Sequence, residues 1–300
     1  MPNQHTQSGA EAARRAIRQE MPESAELQWW QTRDGVEHPI RIWKAPAECA
    51  IVMYFHGIEG HGRWFEETAL ELNKKGVTTF AFDRRGAGSS RAVRGHCSDW
   101  KQLVDDADEI LSRIRVTNPD RPIFLVANCW GTKVALGVAG REHNHFIRGI
   151  AMTSPAVCIQ VDVGFVTKMM IGFSLLRGGM DYFDIPLSPE QFTDVPEYLE
   201  YIRRDSLRLT KATASFFFAS IKLTKACKAV ADNMQLPLLI LQSGKDEIVN
   251  AKNIQSWFNG LKVKDKTLRM FPNATHSLDF DLRANEYQEA LGDWLLARVE

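Results

Sequence analysis

The chain has 300 residues, and 44% of them are hydrophobic, which suffices for one large α/β domain that carries an insertion. Lys and Arg together number 37, as do Asp and Glu, so the formal net charge is zero and gives no general attraction for a polyanion. We therefore expect no nucleic-acid partner.

Five cysteines stand at positions 49, 97, 129, 158 and 227, with no metal-binding spacing. Such an odd set is typical of reduced thiols, so we expect an intracellular, cytoplasmic protein. No apolar run approaches the roughly 18 residues of a membrane span. Residues 1–24 form a polar extension without a secretory signal, and residues 10–20 predict a short surface helix, with a mitochondrial presequence as the alternative.

Apolar runs and alternating patterns predict eight strands along the chain. The first two form a hairpin around Asp34-Gly35, which is a strong turn signal, and most of the later strands have the continuous apolar character of buried strands. The predicted strands cover residues 26–31, 36–43, 50–55, 77–82, 123–126, 147–153, 236–242 and 267–271.

Helical patterns alternate with these strands. The predicted helices cover residues 64–75, 100–116, 132–139 and 283–298. Within residues 100–116 the apolar positions recur at helical spacing, so that helix has one face to cover a sheet. The alternation predicts an α/β fold with a doubly wound, mostly parallel, eight-stranded sheet.

Residues 155–232 interrupt this alternation, and we interpret them as a helical cap inserted into a core of residues 25–154 and 233–300. Apolar side chains gather at residues 165–176 and again at 216–223. Clusters of Met and Phe can line an adaptable pocket for acyl chains or rest on a membrane surface. The predicted substrate contacts are Met169, Met170, Phe173 and Phe217; the alternative is that these side chains only pack the cap onto the core.

Residues 127–131, Ala127-Asn128-Cys129-Trp130-Gly131, connect a predicted strand to a predicted helix. They fit the G-x-S-x-G nucleophile elbow, with Ala at the first small position and Cys where Ser usually stands. Such a turn presents its central side chain at a helix N-terminus, where a thiol ionises more easily. Cys129 is therefore the predicted nucleophile. The alternative is an inert core residue in a protein that has lost its serine.

A glycine-rich loop follows the predicted strand at residues 50–55. In folds with this kind of elbow, the loop after that strand supplies one backbone N–H for an oxyanion, and the residue after the nucleophile supplies the other. We assign these roles to Ile58 and Trp130. A second glycine-rich loop at residues 83–90 matches neither a dinucleotide fingerprint nor a Walker loop, so its glycines more plausibly serve a tight turn.

Two further residues complete a possible triad. Asp246 follows the predicted strand at residues 236–242, which is the place of an orienting carboxylate, and Glu247 is the alternative. His276 follows the last predicted strand and is the predicted general base. The order along the chain is nucleophile, acid and base, each just after a strand.

On these motifs the chain resembles the α/β-hydrolase superfamily, closest to the monoacylglycerol lipase and lysophospholipase-like branch. The resemblance covers about residues 26–298, with the cap matched only by position and character. The matching pieces are His56-Gly57 with His61, the Asp83-x-x-Gly86-x-Gly88-x-Ser90 loop, the elbow, Gly244-x-Asp246-x-x-Val249 and His276. The resemblance implies an esterase-like enzyme and leaves the substrate open.

Cys129 departs from that branch, which is expected to carry serine. Polyhydroxyalkanoate synthases and dienelactone hydrolases, members of the wider superfamily, resemble this chain in using cysteine. A natural cysteine, an engineered replacement of serine and a decayed enzyme all agree with the sequence.

The leading hypothesis is an ester or thioester hydrolase that forms an acyl-Cys129 intermediate, with a lipophilic small-molecule substrate and no metal or organic cofactor. One alternative is an acyltransferase or cyclising enzyme that uses the same intermediate. Another is a ligand-binding protein on a hydrolase scaffold. The sequence also allows transient contact of the cap with a membrane surface, and it does not define the oligomeric state.

Overall fold

The computed structural model describes residues 24–299, so the predicted helix at residues 10–20 lies outside the described residues. The strands are β1 (Glu26–Gln31), β2 (Glu37–Trp43), β3 (Ala50–Phe55), β4 (Val77–Phe82), β5 (Ile123–Asn128), β6 (Ile147–Thr153), β7 (Tyr182–Asp184), β8 (Lys211–Thr213), β9 (Leu238–Ser243) and β10 (Lys266–Phe271). Eight of them form one sheet with the order β1-β2-β4-β3-β5-β6-β9-β10, which confirms the predicted sheet.

The sheet is antiparallel only at one edge. β1 pairs with β2 and β2 with β4 in antiparallel register, whereas every other neighbouring pair in this sheet is parallel. The carboxyl ends of the parallel strands therefore lie along one edge, where ligands bind in open α/β sheets.

The helices are α1 (Glu66–Lys74), α2 (Trp100–Thr117), α3 (Gly131–Ala139), α4 (Phe165–Leu175), α5 (Pro196–Arg204), α6 (Ala214–Ala231), α7 (Ala251–Gly260) and α8 (Ala284–Leu296). Successive residues of a strand point to opposite faces of the sheet, and both faces are covered. On β3, Met53 packs in the cluster that includes α2 and α3, whereas Val52 packs in the cluster that includes α1 and α8. The sheet is doubly wound for this reason.

Local signals fix the helix starts. α2 begins after Asp99, whose side chain accepts from the Lys101 N–H, while the Gln102 side chain accepts from the Asp99 N–H as in a capping box. The predicted helix at residues 64–75 begins instead with a 3₁₀ turn over Gly62–Phe65 and continues as α1.

The segment between β6 and β9 contains α4, α5, α6 and the small β7–β8 ribbon. Its last helix, α6, is not confined to the outside of the molecule. The second half of α6 buries Leu223, Cys227 and Ala231 and packs against α3 in the core. Within residues 24–299, none of the helices has the length and apolar character that crossing a lipid bilayer requires.

Candidate active site

Cys129 lies at the turn between β5 and α3. Its φ is +47°, a conformation that a residue with a side chain adopts rarely and only where its surroundings hold it. Its N–H donates to the Thr153 carbonyl at 2.9 Å, and its carbonyl accepts from the Ala156 N–H at 3.0 Å. These bonds hold Cys129 at the carboxyl edge of the sheet.

Small residues let the neighbouring loop approach this turn. A Cβ added to Gly131 would lie 2.3 Å from the carbonyl oxygen of Phe55, and a Cβ added to Gly57 would lie 3.0 Å from the Asn128 side chain. The first contact is far below van der Waals distance, so the ends of β3 and β5 reach their packing only because Gly131 has no side chain.

Asp246 and His276 are in direct contact at this edge. His276 Nδ1 lies 2.8 Å from Asp246 Oδ2 and 2.9 Å from Oδ1. Asp246 Oδ1 also accepts the N–H groups of Ile248 at 2.9 Å and Val249 at 2.8 Å. Burial raises the pKa of Asp246, but the charge of His276 and these hydrogen bonds lower it below its ordinary value. Glu247, the alternative carboxylate, is exposed.

The imidazole of His276 is fully buried, and its titration is governed by its neighbours. Burial alone would lower the pKa of His276, but the charges of Asp246 and Cys129 and the hydrogen bond to Asp246 raise it to about 10. The Cys129 thiol therefore interacts electrostatically with the His276–Asp246 pair. This arrangement favours an imidazolium ring at neutral pH.

The two N–H groups predicted to hold an oxyanion flank the thiol. Ile58 and Trp130 line the same cavity as Cys129, and neither backbone N–H donates to another residue within 24–299. Arg84, which the sequence did not identify, connects these two residues. Its Nη2 donates to the Ile58 carbonyl, and its guanidinium carbon lies 4.7 Å from the centroid of the Trp130 ring.

A cavity of about 460 Å³ opens beside Cys129 and is lined mostly by apolar side chains. Of the four predicted substrate contacts, only Phe217 lines this cavity. Met169, Met170 and Phe173 are 62%, 56% and 59% exposed. The structure does not place these three side chains at the cavity. Apolar residues of α4 lie on more than one face of the helix, so the sequence could not identify its inner face.

The inner face of α4 contributes Ile171, Gly172 and Leu175 to the cavity. Two polar residues that the sequence analysis missed, Lys133 and Ser220, also line it. Lys133 could have been identified from the sequence, because a lysine four residues after Cys129 falls within the buried helix that follows a nucleophile elbow. Within the part of the chain that the structure describes, no group of three or more His, Cys, Asp or Glu side chains is arranged to hold a metal ion.

Comparison with known families identifies the fold and the class of protein. The family model described as "Serine aminopeptidase, S33" matches residues 46–283. The chain belongs to this family. The match includes Cys129, Asp246 and His276, and Cys129 stands at the turn where the family description leads one to expect serine.

Members of the α/β-hydrolase superfamily with other printed activities are also similar to the chain. Phospholipase YtpA of Bacillus subtilis (strain 168) is 25% identical over 240 residues, which cover 79% of this chain and 91% of that protein. The monoglyceride lipase of Mus musculus is 26% identical over 276 residues, which cover 89% of each protein.

Solved structures show the same fold. A soluble variant of the monoglyceride lipase from Saccharomyces cerevisiae, in complex with a substrate analog, matches with a TM-score of 0.80 at 18% identity, over 92% of this chain and 98% of that chain. These findings confirm the predicted α/β-hydrolase fold and the predicted enzyme class, a hydrolase of the esterase and lipase-like kind. The roles assigned to Cys129, Asp246 and His276 stay predictions.

Proposed function

We propose that the protein hydrolyses carboxylic esters or thioesters of lipophilic acids through a covalent acyl-Cys129 intermediate. The observation that carries this proposal is the placement of a buried, hydrogen-bonded His276–Asp246 pair near a thiol at a strained strand-to-helix turn. Cys129 is the nucleophile, His276 the acid and base, and Asp246 the group that fixes the imidazole orientation.

In the acylation step, His276 already holds the proton as an imidazolium, and the Cys129 sulfur attacks the substrate carbonyl carbon. The carbonyl electrons move onto oxygen, where the N–H groups of Ile58 and Trp130 stabilise the charge. Each such donor typically contributes about 3 kcal/mol to the transition state. When the carbon–oxygen bond to the leaving group breaks, His276 returns the proton to that group and a thioester remains.

Deacylation repeats these steps with water. His276 takes a proton from water as the hydroxide oxygen attacks the thioester carbon, and the same two N–H groups hold the oxyanion. The carbon–sulfur bond then breaks, the acid leaves, and the Cys129 sulfur is released with its proton shared with His276. Asp246 stays ionised throughout, in agreement with its lowered pKa.

The size and character of the cavity support a lipophilic substrate. Its volume of about 460 Å³ lies within the usual range for small-molecule sites, and apolar side chains such as Ile171, Leu175 and Phe217 dominate its lining. The monoglyceride lipase relatives act on lipids by name, so we infer an acyl chain of medium or greater length for this protein.

We further propose that residues 155–232 serve as the cap of this cavity and contact a lipid surface transiently. Phe165 and Val166 of α4 are 78% and 70% exposed, and Leu176, just after the helix, is 85% exposed, so this segment presents an apolar outer face. Exposed apolar patches of this kind mark interaction surfaces.

The substrate proposal is tested by hydrolysis of p-nitrophenyl esters from acetate to palmitate. We expect kcat/KM to increase at least tenfold from acetate to octanoate, and we expect turnover to vanish in Cys129→Ala and His276→Ala. Preference for acetate would contradict the lipophilic assignment, whereas full activity in Cys129→Ala would contradict the mechanism.

Acyl transfer is a second candidate, and the thioester at Cys129 favours it because a thioester reacts more readily with amines and thiols than an oxygen ester. The same assay with added amine or thiol distinguishes the two functions. Exclusive formation of the free acid supports the hydrolase, while predominant formation of the amide or new thioester supports the transferase. Tight ligand binding without any acyl-enzyme would instead favour a binding protein.

A further inference from the structure

The wall of the cavity contains a buried lysine. Lys133 lies in the first turn of α3, four residues after Cys129, and only 2% of its surface is exposed. It lines the same cavity as Cys129. A buried ammonium group without a partner is unfavourable by several kcal/mol in proteins, so its retention in a cavity points to a ligand.

The described part of the protein provides no carboxylate for Lys133. Within residues 24–299 its ammonium group makes no ion pair or hydrogen bond, and the centroid of the Trp130 ring lies 6.0 Å from Nζ. The carboxylate in the cavity wall, Asp162, is paired with Lys168, and Asp246 is paired with His276. No carboxylate in the described residues therefore compensates the charge of Lys133, although the Cys129 and Cys227 side chains interact with it.

A hydroxyl on the facing helix adds a second donor. Ser220 lies on α6 and lines the cavity, and its Oγ accepts from Trp130 Nε1 at 2.8 Å. The Ser220 hydroxyl proton has no acceptor within residues 24–299, whereas Thr224, one turn further along, donates to the Ser220 carbonyl at 2.8 Å. The Trp130 side chain thus contacts both Lys133 and Ser220.

We propose that Lys133 and Ser220 bind a carboxylate or phosphate group of the substrate. An ammonium and a hydroxyl are suitable donors for such a group, and attraction between opposite charges is strong where apolar walls exclude water. The hydrocarbon part of the ligand occupies the apolar remainder of the cavity. This inference depends on the proposed function only for the ester that reacts. It adds to the predicted substrate a second group, which is anionic.

The titration of Lys133 sets a pH range for this binding. Burial lowers the pKa of Lys133 to about 8; the Cys227 and Cys129 thiols raise it, and Lys228 on α6 lowers it. A bound anion stabilises the protonated amine and so raises this pKa. Binding of the anion is therefore strong below about pH 8 and weakens as the pH rises further.

The test uses the full chain with Cys129→Ala, which has no thiol at the reaction centre, and calorimetry at pH 7 with octanoate, octyl phosphate and octanamide. We expect at least one of the anions to bind ten times more tightly than the neutral amide. The stronger of the two anions identifies carboxylate or phosphate as the preferred group. Adding Lys133→Met should bring the anions within about twofold of octanamide.

Two variants serve as comparisons in the same background. Ser220→Ala should weaken anion binding severalfold, whereas Lys225→Met, which removes an exposed lysine of α6 outside the cavity lining, should leave the preference intact. Equal binding of the three ligands, or a preference for anions that persists in Lys133→Met, would overturn the proposal. Because no ligand contains an ester and the protein lacks Cys129, this result is independent of acyl-enzyme formation.

Discussion

Replacing Asp246 by Asn removes one charge from a fully enclosed site and changes little in size. The Asp246 carboxylate accepts from His276 Nδ1 and from the N–H groups of Ile248 and Val249. An asparagine oxygen can keep the two backbone bonds, but its NH₂ group then competes for the position that receives the imidazole proton. The variant should therefore fold and still lose control of the charge and tautomer of His276.

The structure gives the size of this effect. The neighbours of His276 raise its pKa from 6.5 to about 10 against burial, which corresponds to about 5 kcal/mol in favour of the imidazolium ring. Among the causes that raise it, the charge of Asp246 is the largest. Without that charge burial dominates and the ring stays neutral, so we expect kcat to fall roughly 10³-fold, or about 4 kcal/mol.

The assay combines two measurements on Asp246→Asn. Steady-state hydrolysis of p-nitrophenyl octanoate gives kcat, and the pH dependence of Cys129 alkylation by iodoacetamide reports the fraction of thiolate. We expect alkylation at pH 7 to slow in parallel with kcat. Glu247→Gln, which changes the exposed neighbouring carboxylate, should match the parent. Retention of more than a tenth of kcat with an unchanged alkylation profile would refute this reasoning.

Four further outcomes are expected. Gly131→Ala should lower the free energy of unfolding by about 2 kcal/mol in urea denaturation, because its Cβ meets backbone at 2.3 Å. Gly172→Ala, inside α4 with open space around it, should raise the free energy of unfolding by up to about 1 kcal/mol, and equal effects of the two changes would contradict the packing argument. Arg84→Met should lower kcat on soluble esters about tenfold with little change in KM, because the Ile58 carbonyl loses the hydrogen-bond donor that holds it. An unchanged kcat would exclude this positioning role of Arg84. Phe173→Asp should reduce activity on monoacylglycerol in vesicles severalfold but not on soluble esters, and equal loss on both would contradict lipid contact. The stability of the parent should fall as the pH rises from about 6.5 to about 10, because native His276 keeps a proton that the unfolded chain releases, and His276→Gln should flatten this slope.

The elements that position the site could be predicted from local sequence patterns. Buried strands such as β3 and β5 are short continuous apolar runs in the sequence. The elbow motif predicts Gly131, because a side chain at this position would collide with the backbone of Phe55. The positions of Asp246 and His276 just after strands predicted their place at one edge of the sheet, because parallel strands end there. Their mutual contact agrees with that placement.

Features set by tertiary packing could not be predicted in this way. α4 carries apolar residues on more than one face, so periodicity did not indicate that Ile171 faces the cavity while Met169 faces outward. Lys133 and Ser220 are far apart in sequence and line the same cavity only because α6 packs against α3. Arg84 likewise acts on the candidate oxyanion site through a contact that the sequence pattern does not record.

The most direct test of the account is the intact-protein mass after brief exposure to p-nitrophenyl octanoate, with Cys129→Ala and Cys129→Ser in parallel. The account predicts one octanoyl adduct on the parent, located at Cys129 by peptide mapping, and none on Cys129→Ala. A Cys129→Ser variant that reacts far better than the parent would indicate that the site was built for serine. An adduct of equal yield on Cys129→Ala, or no adduct on a parent that still hydrolyses the ester, would contradict covalent catalysis by Cys129.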